Sequence, residues 1–205
     1  MARSSSACIL FCSVAAAVVV LMAALQWSII DVVTPFLFIP MQGAGWLLLL
    51  VGFGWAIIVR ARPGVPGRAA SYPLLICVVG IAAALLIPWT TIWLAANERV
   101  HRADRARIVR QVQEGSLRAN VDYNGSLIAL GSGSPNVSKG GNEIVVEEHS
   151  GHRYVFFYTY RGVLDSYSGF LFVPTGADPR LFSDAADAST LIEQRDAQWF
   201  FLAHR

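Results

Sequence analysis

The chain has 205 residues, of which 55% are hydrophobic and only 15% charged, and a mean hydropathy of +0.49; a soluble globular domain carries about a quarter charged residues, so part of this chain is expected to face lipid. The formal net charge of +2 is small, and in the downstream half bases and acids nearly balance, which excludes the general basic field of a nucleic-acid-binding surface. All three cysteines, Cys8, Cys12 and Cys77, fall inside apolar stretches, so the polar half can build no disulfide, thiolate nucleophile or cysteine metal site.

Between Arg3 and Glu98 the only acidic or basic side chains are Asp31, Arg60, Arg62 and Arg68. Three apolar runs, 7–30, 35–59 and 72–96, reach the roughly 20 residues needed to cross about 30 Å of hydrocarbon, and predict a transmembrane region over 1–97. The first run exceeds the roughly 7–15 apolar residues of a cleaved signal peptide, and Leu10-Phe11-Cys12 lacks the small residues of a lipidation site. Aromatic residues gather at the expected interfaces: Trp27 and Phe36 at the first turn, Trp55 and Tyr72 around the second, Trp89 and Trp93 at the exit. Trp46 falls mid-span and is expected to pack on a neighbouring helix.

No acid, base or histidine lies at mid-depth, which argues against a transporter or channel. Gln42, Thr90 and Thr91 are the polar exceptions and suit hydrogen bonds between helices. Gly43, Gly45, Gly52 and Gly54, with Gly80 and Ala84 further on, offer small surfaces for close approach, while Pro40 and Pro88 can kink their helices.

Arginines near the helix ends set orientation. Arg60, Arg62 and Arg68 occupy a short, acid-free link, whereas Arg99, Arg102, Arg105, Arg107 and Arg110 begin a long domain whose translocation depends less on charge. Arg3 precedes the first run and only Asp31 follows it, so we expect a cytoplasmic N-terminus and an extracytoplasmic C-terminal domain.

Residues 98–115 are charged but free of proline, with Val100, Ala103 or Ala106, Val109 and Val112 at three- and four-residue spacing and Gly115 as a stop, which predicts a helical stalk. Its five arginines read as a solvated face or as a contact with anionic headgroups. Over 116–205 the period changes to two: 126–130, 143–149, 153–161, 168–173, 191–194 and 199–204 predict a small α+β domain built on an antiparallel sheet of five or six strands. Residues 131–142, rich in Gly and Ser, read as a flexible loop. A turn at Ser150-Gly151 would place Glu148 opposite Arg153, Val146 opposite Val155 and Ile144 opposite Phe157. A second turn at Asp196-Ala197 would pair the last two strands; a helix over 188–202 is the competing reading.

Chemistry-bearing patterns are sparse. His149 and His152 beside Glu147 and Glu148 are the nearest approach to a metal site but lack a third ligand of the right spacing, and Asp178, Asp184 and Asp187 lack a calcium loop's spacing. Asn124-Gly125-Ser126 and Asn136-Val137-Ser138 match the glycosylation acceptor pattern, which matters only in a eukaryotic secretory pathway. No nucleophile elbow, phosphate loop or dinucleotide fingerprint occurs, so no cofactor is expected. The row Tyr154, Phe156, Tyr158 and Tyr160 is a candidate partner-binding face; the alternative is core, beneath the stalk or the C-terminal strands. The expectation is a membrane-anchored, non-enzymatic interaction module for a protein or envelope component. A subunit or assembly factor acting through its bundle, or a hydrolase with an unrecognised site, are the alternatives.

Overall fold

The computed structural model describes residues 2–63, 67–162 and 166–204, with side chains omitted at 2–4 and 68–70, so the Arg3 and Arg68 side chains lie outside the described residues. The chain divides into two compact units, Met1–Ala96 and Asn97–Arg205.

The first unit contains α1 (Ala2–Ala61), α2 (Gly67–Leu86) and the start of α3 (Trp89–Gln113). Helix α1 is two helices joined at Thr34, whose φ of 70° and ψ of 155° are not helical. The residue before a proline is disfavoured in the helical region, and Pro35 follows Thr34 directly. The two halves run antiparallel in contact. A Cβ on Gly45 would meet Met22, Val18 and Val19, one on Gly52 would meet Phe11 and Cys12, and Phe11 and Trp55 have ring centroids 5.8 Å apart. Gly43 and Gly54, by contrast, face open space.

Helix α2 packs against this hairpin through Cys77 and Gly80, joining a buried cluster with Cys8, Cys12, Ala15, Ala16, Val19, Leu49, Ala56 and Val59. A Cβ on Gly80 would lie 2.7 Å from that of Ala16, so the approach requires glycine. The third apolar run is not one straight helix: it breaks at Ile87-Pro88, where proline lacks an N–H and its ring displaces the preceding turn. Among the described residues, one helix, Ser5–Ala61, is long and apolar enough to cross a membrane; the bent pair Ser71–Leu86 and Trp89–Gln113 adds a second if taken as one span.

In the second unit the described residues form a six-stranded antiparallel sheet, ordered β1-β2-β3-β4-β6-β5. The strands are β1 (Leu127–Ala129), β2 (Glu143–His149), β3 (His152–Arg161), β4 (Tyr167–Phe172), β5 (Leu191–Gln194) and β6 (Trp199–His204). The Ser150-Gly151 turn carries φ of 53° and 78°, the left-handed pair a two-residue hairpin needs, and gives the register Glu148 to Arg153, Val146 to Val155 and Ile144 to Phe157. The last two strands also form a hairpin rather than a helix. Its turn is longer than two residues: Arg195 N–H bonds back to Trp199 O, and the Asp196 carboxylate accepts from the N–H groups of Gln198 and Trp199.

Both faces of the sheet are covered. Residues 98–113 of α3 are not a free-standing stalk: Ile108, Val109 and Val112 are buried against Ile128, Ile144, Val155 and Phe157. Gly115, at φ 75°, ends the helix, and Arg153 donates to the terminal carbonyls of Val112 and Gln113 while pairing with Glu148. On the other face two short 3-10 turns, Pro179–Leu181 and Ser183–Ala185, lie over the sheet and insert Phe182. The loop 131–142 is not loose. Asn142 gathers the N–H groups of Val137 and Ser138 on its side-chain oxygen, and Lys139 N–H donates to Tyr158 O, so the loop extends the ladder along β3.

Candidate functional site

The aromatic row of β3 is interior. Tyr154 and Phe156 are 0% exposed and Tyr158 is buried, all within a cluster that includes Val145, Leu171, Phe182, Ala185 and Leu202. The stalk takes no part in this cluster; the acidic segment after β4 covers it, and Leu202, Ile192 and Phe200 of the last two strands pack in it as one of the sequence alternatives expected. Phe182 lies 5.6 Å from Phe156 between ring centroids, the Tyr154 hydroxyl donates to Asp178 O at 2.9 Å, and that of Tyr167 donates to Asp184 O at 3.2 Å. Sequence periodicity could not reveal this, because the covering residues have no regular repeat and, of their two large apolar side chains, Leu181 is exposed and only Phe182 is buried. Tyr160 lies past a register shift in β3, is half-buried and stands outside that cluster. Tyr154, Phe156 and Tyr158 are therefore core, and the expectation that they present an open partner-binding face is corrected.

Burial moves the phenols accordingly. Desolvation raises Tyr154 and Tyr158, and pushes Tyr167 up to about 12. Asp184, within that covering segment, is raised by burial and by the nearby Glu147 charge.

At the hairpin tip, His149 and His152 are paired in register, and Glu147 is shared between His149 and the covering segment. One carboxylate oxygen of Glu147 lies 3.0 Å from His149 Nε2 and also accepts from Ser183 N–H at 2.9 Å, pinning the cover to the sheet. Among the described residues no group of three or more His, Cys, Asp or Glu is placed to hold a metal ion.

The five arginines of α3 separate into different roles. Arg105 is 2% exposed: it donates from Nε and Nη2 to Val137 O and from Nη2 to Asn97 Oδ1, and its guanidinium lies 4.7 Å from the Phe170 ring centroid. Nη1 has no oxygen partner and is spent against that aromatic surface. Burial lowers its pKa to about 10, so it is charged at neutral pH, yet it is closed off from any lipid headgroup. That corrects its assignment to a membrane-facing set. Arg102 pairs with Glu98 and Asp196, Arg107 pairs with Asp104, and Arg99 and Arg110 are exposed.

A polar cluster unread in the sequence joins Asp187, Ser189, Thr190 and His204. Ser189 Oγ donates to Asp187 at 2.7 Å and Thr190 Oγ1 donates to Asp184 O at 2.8 Å, while both hydroxyls sit within 3.2 Å of His204 Nδ1. With both hydroxyl protons committed, the network assigns the proton to Nδ1. A catalytic triad needs the imidazole to take the serine proton and an acid to orient the other ring nitrogen. Here the acid itself accepts the serine hydrogen bond and approaches the same ring nitrogen that faces the hydroxyls, at 4.0 Å. Tyr167 stacks on the imidazole at 5.4 Å, completing a structural clasp.

The helical unit holds an open groove of about 570 Å³ beside the Pro88 break, with Gln26, Gln42, Trp46, Trp89, Thr90 and Thr91 in its wall. Thr90 Oγ1 accepts from Gln26 Nε2 at 2.8 Å and from Trp27 Nε1 at 3.2 Å, and Trp89 Nε1 donates to Ala83 O at 3.0 Å near the interrupted turn. These bonds realise part of the interhelical role expected of Thr90. The sequence flagged Gln42 and Thr91 by polarity, but only the break in the third run brings them to one space.

Comparison of the chain with protein-family models, with curated proteins and with solved structures finds no match.

Proposed function

We propose that the protein is a multi-pass, membrane-anchored interaction module without catalytic activity, held by three spans. The spans are the two antiparallel halves of α1 and the broken run from Ser71 to Ala96. The observation that carries this reading is the distribution of side-chain size in the helical unit. Its buried cluster is mostly small, Cys8, Cys12, Ala15, Ala16, Val19, Ala56, Val59 and Cys77 with Leu49 the one larger aliphatic side chain, while Leu10, Phe36, Ile39, Leu47 and Leu86 stand outside, with Val32 81% exposed. Such a surface is untenable in water and ordinary in hydrocarbon. At about 1.5 Å per residue each half of α1 is long enough for about 30 Å of hydrocarbon.

The sheet unit is closed on both faces by its own chain, which favours the bundle as the interacting element: a subunit or assembly factor that works through its helices, with a protein or envelope component as partner. The arginine balance supports a cytoplasmic N-terminus and an extracytoplasmic sheet unit. Carbonate washing of membranes together with reporter fusions after Arg62 and after Arg205 tests this. We expect the protein to stay in the membrane, the first fusion to report cytoplasm and the second the outside. Release by carbonate, or both fusions on one side, would overturn the three-span reading.

A further inference from the structure

We propose that the groove beside Pro88 is a binding site for an uncharged, hydroxyl-bearing lipid. The inference rests on the membrane reading of the helical unit and adds to it a ligand class.

No Asp, Glu, Lys, Arg or His lines the groove, so a phosphate headgroup would enter without a cation to meet it, at the high cost of an unpaired charge. A bare alkyl chain is an equally poor fit, because the wall carries hydrogen-bonding groups with unused capacity. The Gln42 side-chain amide is half-buried and has no hydrogen-bond partner within the chain among the described residues. Thr90 Oγ1 already accepts two hydrogen bonds, from Gln26 and Trp27, which uses both lone pairs and leaves its own proton to donate. Thr91 adds a second hydroxyl to the same wall. An amide that can donate and accept, beside hydroxyl donors, is complementary to an alcohol, which does both through one atom. The indoles of Trp46 and Trp89 and the side chains of Val19, Leu85 and Ile87 supply the apolar wall for the chain that follows the head. At about 570 Å³ the space has the size of an ordinary small-ligand site, roughly 300–1,000 Å³.

The test uses the full chain in bilayer discs doped with one photoactivatable lipid at a time: a diacylglycerol, a long-chain prenol or phosphatidylglycerol. Cross-links are mapped to peptides, and carbonate resistance is scored in parallel. We expect one of the two alcohols to label peptides containing 42–46 or 84–91 at least about fivefold more than phosphatidylglycerol does, the size of one net hydrogen bond. Which alcohol prevails identifies the source of the hydroxyl. Gln42→Leu should abolish that preference while the protein stays carbonate-resistant, and Ala23→Phe, which puts a large ring into the groove from another lining position, should abolish labelling there altogether. Equal labelling by all three lipids, or a preference that survives both variants, would overturn the site. Release by carbonate would instead overturn the membrane reading, so the two failures are distinguishable.

Discussion

The two units of this chain are built inside-out relative to one another. The helical unit buries mostly small residues, with Gly80 against Ala16 and Gly52 against Phe11 and Cys12, and leaves most of its large aliphatic side chains outside. The sheet unit buries Tyr154, Phe156, Phe157, Phe170 and Phe182 and keeps its ion pairs at the surface. On the proposed membrane placement, the difference follows from what surrounds each. Water drives large apolar groups inward, whereas hydrocarbon gives no such drive between helices and leaves close backbone approach as the main gain.

The sharpest way to break that comparison is to add one methyl group in each unit. In β4, a Cβ on Gly169 would fall on the Phe157 carbonyl oxygen and within 2.5 Å of Phe156 Cζ, a strand backbone and a packed ring that cannot both move. Gly169→Ala is expected to cost about 3 kcal/mol or more and to expose the amides of β3 and β4 to hydrogen exchange in the full chain. Gly80→Ala should cost less, because α2 can shift away from Ala16, and Gly43→Ala, facing open space, should be neutral or slightly stabilising. Equal effects at Gly169 and Gly43 would mean that the sheet is not packed as described.

A smaller effect separates the arginines. Arg105→Leu leaves the Val137 carbonyl without its donor and should cost about 1–3 kcal/mol in unfolding of the full chain in detergent. Exposed Arg99→Gln should change stability by no more than about 0.5 kcal/mol. If both substitutions behave alike, Arg105 is not the buried tie between α3 and the loop at Val137.

The smallest effect is a pH dependence confined to the sheet unit. The folded-state pKa values of Tyr154, Tyr158 and Tyr167 are raised above the ordinary value near 10, Tyr167 to about 12. The folded state therefore holds these protons longer than the unfolded state does. The stability they contribute is whole below about pH 10 and is lost as pH rises towards 12. Hydrogen exchange of β3 should be unchanged up to about pH 9.5 apart from its intrinsic rate, and accelerate beyond that rate above pH 10. Tyr167→Phe should blunt the acceleration, and a β3 whose opening ignores pH would place those phenols in water.

Much of the sheet unit was legible in the sequence because its signals are local. Alternating β-branched and aromatic residues bounded by Gly, Ser and Asp specify strands, and Ser150-Gly151 specifies both a turn and, through it, a register. The cover over Tyr154 and Phe156 was not legible, since it depends on one irregular segment folding back over residues remote in sequence. The face of a strand states only that it is apolar, never which part of the chain will bury it. The arginines of α3 show the same limit. Charge spacing gives a helix face, but whether Arg105 points to lipid or to Phe170 depends on which face the sheet takes.

In the helical unit, hydropathy by itself determined where the apolar runs lie and that Gly45, Gly52 and Gly80 sit on possible contact faces, because composition and spacing are properties of the chain alone. The tertiary structure decided which glycines meet a neighbour, that the reversal falls at Thr34, and that Pro88 breaks the third run beside Gln26 and Gln42. Those outcomes depend on how separate helices approach, and a polar side chain in an apolar run carries no record of the neighbour it will face.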